Sequence, residues 1–87
     1  MTNPMTALPA QMIAAYFEET ETYFSESKGQ FLQVKDMHPT YAANAAARLM
    51  GEAHRWANEA GAGHVRHPQA WMIRQPLFLA LVTRANA

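Results

Sequence analysis

The chain has 87 residues, no cysteine, and seven acidic against seven basic side chains. That length allows one domain, 1–87, and the missing cysteines exclude disulfide frameworks, thiolate metal sites and cysteine nucleophiles. Cancelling charges exclude a protein that holds nucleic acid by bulk electrostatics alone. Apolar residues make up 49% of the chain, but 17 of them are alanine, so the core is small for the surface it must cover. Isoleucine and valine total five against 29 alanine, leucine and methionine residues. That balance favours helix over sheet, and the fold expected is an all-α bundle of three main helices.

Residues 1–6 are expected to be a flexible tail, with Pro4 and Pro9 near the first helix start. No basic residue precedes Lys28, so no charged leader region is expected. Asn3, Pro4, Pro9 and Gln11 break the uncharged run 1–17, which does not read as a membrane span. The first helix is expected over 8–26, its apolar stripe made of Leu8, Met12, Ile13, Tyr16, Phe17, Tyr23 and Phe24. Glu18, Glu19, Glu21 and Glu26 fall on its other face. Gly29 reads as the left-handed residue that ends it. Residues 30–37 carry Phe31, Leu32 and Val34 and are too few for periodicity to separate a helical turn, an extended piece and a tucked loop.

His38-Pro39 opens the second helix, with proline at the first helical position where its missing N–H costs nothing. The helix is expected over 39–60, about 33 Å long, and stops at Gly61-Ala62-Gly63. Tyr41, Ala45, Leu49, Ala53 and Trp56 line one stripe, with Ala42, Ala46, Met50 and Ala57 beside it. Leu49, Ala53 and Trp56 are expected to meet Tyr16, Phe17 and Phe24 in the core. Arg48–Glu52 and Arg55–Glu59 stand four apart on an exposed row. The third helix, 68–85, starts at a second His-Pro pair and is kinked or split at Pro76. The two His-Pro starts read as shared capping chemistry and not as an internal repeat. Six consecutive apolar residues over 77–82 read as helix and not as a buried strand, being rich in leucine and without a hairpin partner.

His38-Pro39-Thr40-Tyr41-Ala42-Ala43-Asn44-Ala45-Ala46-Ala47-Arg48-Leu49 and Trp71-Met72-Ile73-Arg74-Gln75-Pro76-Leu77-Phe78-Leu79-Ala80-Leu81 together resemble small proteins encoded by phages of actinobacteria. The resemblance covers the C-terminal half. It implies a virus-encoded protein working in a bacterial cytoplasm, and it brings no catalytic residues with it.

His64-x-x-His67, with His54 or Glu52 as a third ligand, is the candidate metal set. Cysteine is absent, the one aspartate is Asp36, and the two histidines flank a helix start, so neither metal nor cofactor is expected. Ser25 and Ser27 lack a nucleophile-elbow pattern, and Gly61-x-Gly63 lacks the lysine a phosphate loop needs. No catalytic residue is assigned and no enzyme is expected. Charge is unevenly placed: residues 1–36 carry a net −3 and residues 37–87 a net +3. Arg55, Arg66, Arg74 and Arg84 are the candidate nucleic-acid patch, the second choice of function. The first choice is a protein–protein interaction module that self-associates as a dimer, with a host protein as a further partner. Its interface is expected at Trp71, Met72, Phe78, Leu79 and Val82, because helix 77–82 is apolar on every side.

Overall fold

The computed structural model describes residues 8–62 and 65–87. The expected tail 1–6, Gly63 and His64 lie outside the described residues. Among the described residues five helices and one β-hairpin follow in the order α1 (Ala10–Glu18), β1 (Thr22–Ser25), β2 (Gln30–Gln33), α2 (Pro39–Gly51), α3 (Ala53–Glu59), α4 (Pro68–Met72) and α5 (Pro76–Ala85). The 3₁₀ turn Val34–Asp36 joins β2 to α2. The protein is therefore helix-rich but not all-α.

The hairpin is the main departure from the expected 8–26 helix. Helix α1 stops at Glu18, and Glu19 is already extended (φ −73°, ψ 138°). That end leaves Glu18, Glu19 and Glu21 at the negative pole of the helix dipole with no basic residue in the last turn, a cost that the pairing of the following strand has to offset. Thr20, Thr22, Tyr23 and Phe24 then supply the β-branched and aromatic side chains that a pleated strand accommodates. Strands β1 and β2 are antiparallel, pairing Tyr23 with Leu32, Phe24 with Phe31 and Ser25 with Gln30. Gly29 does adopt the left-handed conformation (φ 65°), but in the hairpin turn and not at a helix end. Its N–H donates to the Ser25 carbonyl at 2.7 Å.

The inner strand is buried at Tyr23, Phe24 and Ser25, while β2 outside it is mostly exposed. The Phe24 N–H donates to the Tyr16 hydroxyl at 2.9 Å, so a side chain of α1 meets the backbone of β1. Ser25 is 1% exposed. Its hydroxyl shares a 2.7 Å hydrogen bond with the Tyr41 hydroxyl, which fastens the hairpin to the start of α2. The Lys28 ammonium sits 4.9 Å from the centre of the Tyr41 ring and reinforces that seam.

The helix expected as a single rod over 39–60 is broken, and the split expected at Pro76 is present. Residues 39–60 divide at Glu52 (φ −105°, ψ 16°), which caps α2 and precedes α3. Gly51, a weak helix former, stands immediately before the break. Residues 68–85 divide before Pro76, which becomes the first residue of α5 after the extended Gln75. The Gln75 side-chain amide donates to the Trp71 carbonyl at 2.9 Å and closes the end of α4. The paired His-Pro starts also differ: the His38 ring accepts from the Thr40 N–H at 3.1 Å, whereas His67 makes no such cap.

Packing converges on Phe17, which is fully buried. Its ring meets Tyr16, Trp56 and Trp71 edge to face at centroid distances of 5.0, 5.4 and 5.6 Å. Trp56, Leu49, Ala53 and Phe24 are buried in the same core. Helix α5 lies along α2 and touches α1, while α4 lies on α3. The Arg84 side chain donates through Nε to the Met37 carbonyl at 2.6 Å, holding α5 to the entry of α2. Among the described residues no helix is long and apolar enough to cross a membrane.

Two stability outcomes follow. Trp56→Ala removes the buried indole facing Phe17 and should cost about 3–5 kcal/mol, read as a lower urea midpoint. Gly29→Ala meets open space but forces an L-residue into the left-handed region, and should cost about 1–2 kcal/mol in the same assay.

Candidate interaction surfaces

One charged cluster joins the hairpin turn to the paired helices. Arg55 Nη1 lies 3.0 Å from Glu52 and 3.5 Å from Glu26, and its Nε lies 3.5 Å from Glu59. Arg48 Nε reaches Glu52 at 3.2 Å, and its Nη2 stands 3.9 Å from Glu26. The expected Arg48–Glu52 and Arg55–Glu59 pairs both form, and Glu26, placed by the sequence on a helix face, joins them from the hairpin turn. The Arg55 guanidinium also covers the Trp56 ring at 4.5 Å. The hydrogen bond from Arg48 to Glu52 holds the Arg48 guanidinium still more firmly protonated. Each exposed pair contributes about 0–1 kcal/mol, so the cluster sets the register of hairpin on helix more than it adds stability.

Behind this cluster Tyr16, Tyr23 and Trp56 line a void of about 10 Å³, the scale of one water. The Trp56 indole N–H and one Glu59 carboxylate oxygen are buried without a hydrogen-bond partner among the described residues. Burial pushes the Tyr23 phenol up to about 12. Burial raises Tyr16 too, outweighing the Phe24 N–H that favours its ionised form.

The candidate interface residues separate by depth. Met72 is fully buried and belongs to the core, which removes it from the expected interface. Helix α5 turns Leu77 and Leu81 inward, both fully buried, and leaves Leu79 48% exposed. Phe78 and Val82 are half-buried on either side of it, and Trp71 is half-buried against Phe17. Ile73, just after α4, is 51% exposed. The outer stripe of α5 runs through Gln75, Leu79, Val82, Thr83 and Asn86 and carries no charge. Arg84, the one charged residue of α5, is bonded back to Met37.

The candidate arginine patch divides three ways. Arg55 is spent on the carboxylate cluster and Arg84 on the Met37 carbonyl. Arg66 and Arg74 remain together, lining a groove of about 260 Å³ with Val65, His67, Ala70 and Trp71. The sequence patch contained both, but joined them to Arg55 and Arg84, whose partners Glu26 and the Met37 carbonyl lie far off in the chain. A wider groove of about 510 Å³ separates the hairpin from α5, between Glu21 and Lys35 on one side and Thr83 and Arg84 on the other. It mixes both signs of charge.

Of the candidate metal set, His64 lies outside the described residues, and no three histidine or carboxylate side chains gather among those described. The chain matches no known protein-family model, curated protein or solved structure.

The raised tyrosines fix the direction of the alkaline response. A phenol whose folded value lies above its ordinary value near 10 lends stability that is complete below pH 10 and lost as the pH rises toward 12. Urea midpoints should therefore fall from pH 10 upward, and Tyr23→Phe should flatten part of that fall.

Proposed function

We propose that this protein is a non-enzymatic interaction module that pairs with a second copy of itself through the outer stripe of α5. The observation that carries the reading is Leu79, 48% exposed between half-buried Phe78 and Val82 on a stripe without charge. A charged stripe would repel its own image across a two-fold axis; this one does not. Such an axis is the commonest arrangement among soluble oligomers, because one patch then covers its own copy. A chain this short buries a modest share of its surface alone, so pairing also adds to a thin core.

A non-enzymatic role fits the placement of the reactive groups. The Ser25 hydroxyl is engaged by Tyr41, and Glu26, Glu52 and Glu59 are paired with arginines. The resemblance to actinobacterial phage proteins adds the setting: a virus-encoded protein in the host cytoplasm, with a host protein as a further partner of the same apolar face.

Light scattering coupled to size exclusion tests the pairing. Wild type should run at about twice 9.7 kDa, Leu79→Arg as a folded monomer, and Leu81→Arg as an unstable protein. A wild-type mass of 9.7 kDa at tens of micromolar would overturn the proposal.

A further inference from the structure

Beyond self-pairing, the geometry points to a second surface: the groove lined by Arg66, His67, Trp71 and Arg74 binds single-stranded nucleic acid, with a base against Trp71 and the flanking phosphates at the two arginines.

Uncompensated charge is the first observation. Arg66, His67 and Arg74 are exposed, and among the described residues none of the three forms an ion pair, whereas Arg48 and Arg55 each hold two carboxylates or more. The last acidic residue of the chain is Glu59. Residues 60–87 therefore supply no acidic side chain to neutralise the groove, and the carboxylates nearest in sequence are already committed to Arg48 and Arg55. Two guanidiniums lining one groove without a counter-charge leave a positive patch that a bound polyanion would neutralise. Guanidinium suits a phosphodiester, because its planar fork of donors meets two phosphate oxygens at once.

The shape of the groove is the second observation. Ala70 and Trp71 lie in α4, with His67 just before it and Arg74 just after it, and the small Ala70 leaves the groove of about 260 Å³ open between the two arginines. His67 differs from His38 in that its ring is not spent on capping a helix. Trp71 is an aromatic wall of the groove, and its contact with buried Phe17 at 5.6 Å fixes the ring in place. An aromatic surface held this way loses little freedom when a base packs on it.

Cations flanking a fixed aromatic ring match a strand whose bases are free to stack. A duplex hides its base faces, an acidic peptide leaves the ring unused, and inorganic phosphate engages the arginines alone. Net neutrality of the chain limits the site to a few phosphate contacts, and binding should be correspondingly weak and salt-sensitive.

Intrinsic fluorescence reads the site directly, because Trp56 is 3% exposed and Trp71 is the indole a ligand can touch. A short oligothymidylate should quench Trp71, and its affinity should fall with salt at a logarithmic slope of about −1.4, the value for two phosphate contacts on a single strand. Arg66→Gln with Arg74→Gln should weaken binding about ten-fold or more and flatten that slope, with circular dichroism and melting unchanged because both residues are exposed. Trp71→Phe should abolish the quench while labelled oligothymidylate still binds by anisotropy. Absence of binding, or binding undiminished in the double arginine variant, would overturn the inference. So would equal quenching by inorganic phosphate or by polyglutamate, which would make the groove a general anion site.

Discussion

Phe17 is the contact on which the remaining structure depends. Helices α1, α3 and α4 have nine, seven and five residues, each too short to persist alone in water. Their persistence has to come from side chains that one element buries against another. Phe17 meets Trp56 of α3 and Trp71 of α4 edge to face, with Tyr16 beside it on α1. Aromatic pairs in this arrangement add to the free energy of burial and fix mutual angles. A fully buried ring touching three others thus holds three marginal helices in one arrangement, and α5 closes over it through Leu77 and Leu81.

Polar contacts then attach the hairpin to this aromatic centre. The Tyr16 hydroxyl receives the Phe24 N–H, the Ser25 hydroxyl meets that of Tyr41, and Glu26 reaches Arg48 and Arg55. A two-stranded hairpin is marginal by itself, and these contacts give its inner strand partners on α1, α2 and α3. They also explain where the charge goes. Part of the acidic first half neutralises part of the basic second half at the hairpin turn, and the arginines beyond Glu59 are left over. The molecule consequently presents two unlike surfaces, an uncharged stripe on α5 and a cationic groove beside Trp71. The first is the face proposed to meet a second copy, and the second the groove proposed to bind a single strand.

Much of this was legible in the chain. Alanine and leucine content, proline at first helical positions and the stripe through Leu49, Ala53 and Trp56 all express local preferences that the fold keeps. The misread segment is instructive. Tyr23 and Phe24 stand seven residues beyond Tyr16 and Phe17, so a single helical stripe accounts for all four. The competing signal was the acidic run Glu18, Glu19 and Glu21 at what would be a helix middle, followed by threonine and aromatic residues. Burial of adjacent Tyr23, Phe24 and Ser25 shows a strand covered on both faces, and no alternation in the sequence announces that. Met72 was equally hidden: Trp71, Met72 and Ile73 are three apolar residues in a row, and nothing local tells that Met72 is fully buried while Ile73 is exposed.

By itself the sequence determined that the chain is rich in helix, that helices start at Pro39, Pro68 and Pro76, and that an acidic half precedes a basic one, because these follow from preferences acting within a few residues. Only the tertiary structure decided which arginines stay free, which side of α5 faces water, and that residues 22–33 pair as strands. Those outcomes depend on partners distant in the chain: Glu26 for Arg48 and Arg55, Met37 for Arg84, and Tyr16 for the backbone of Phe24. A side chain's local preference is the same with or without such a partner, but its exposure and its remaining charge are not.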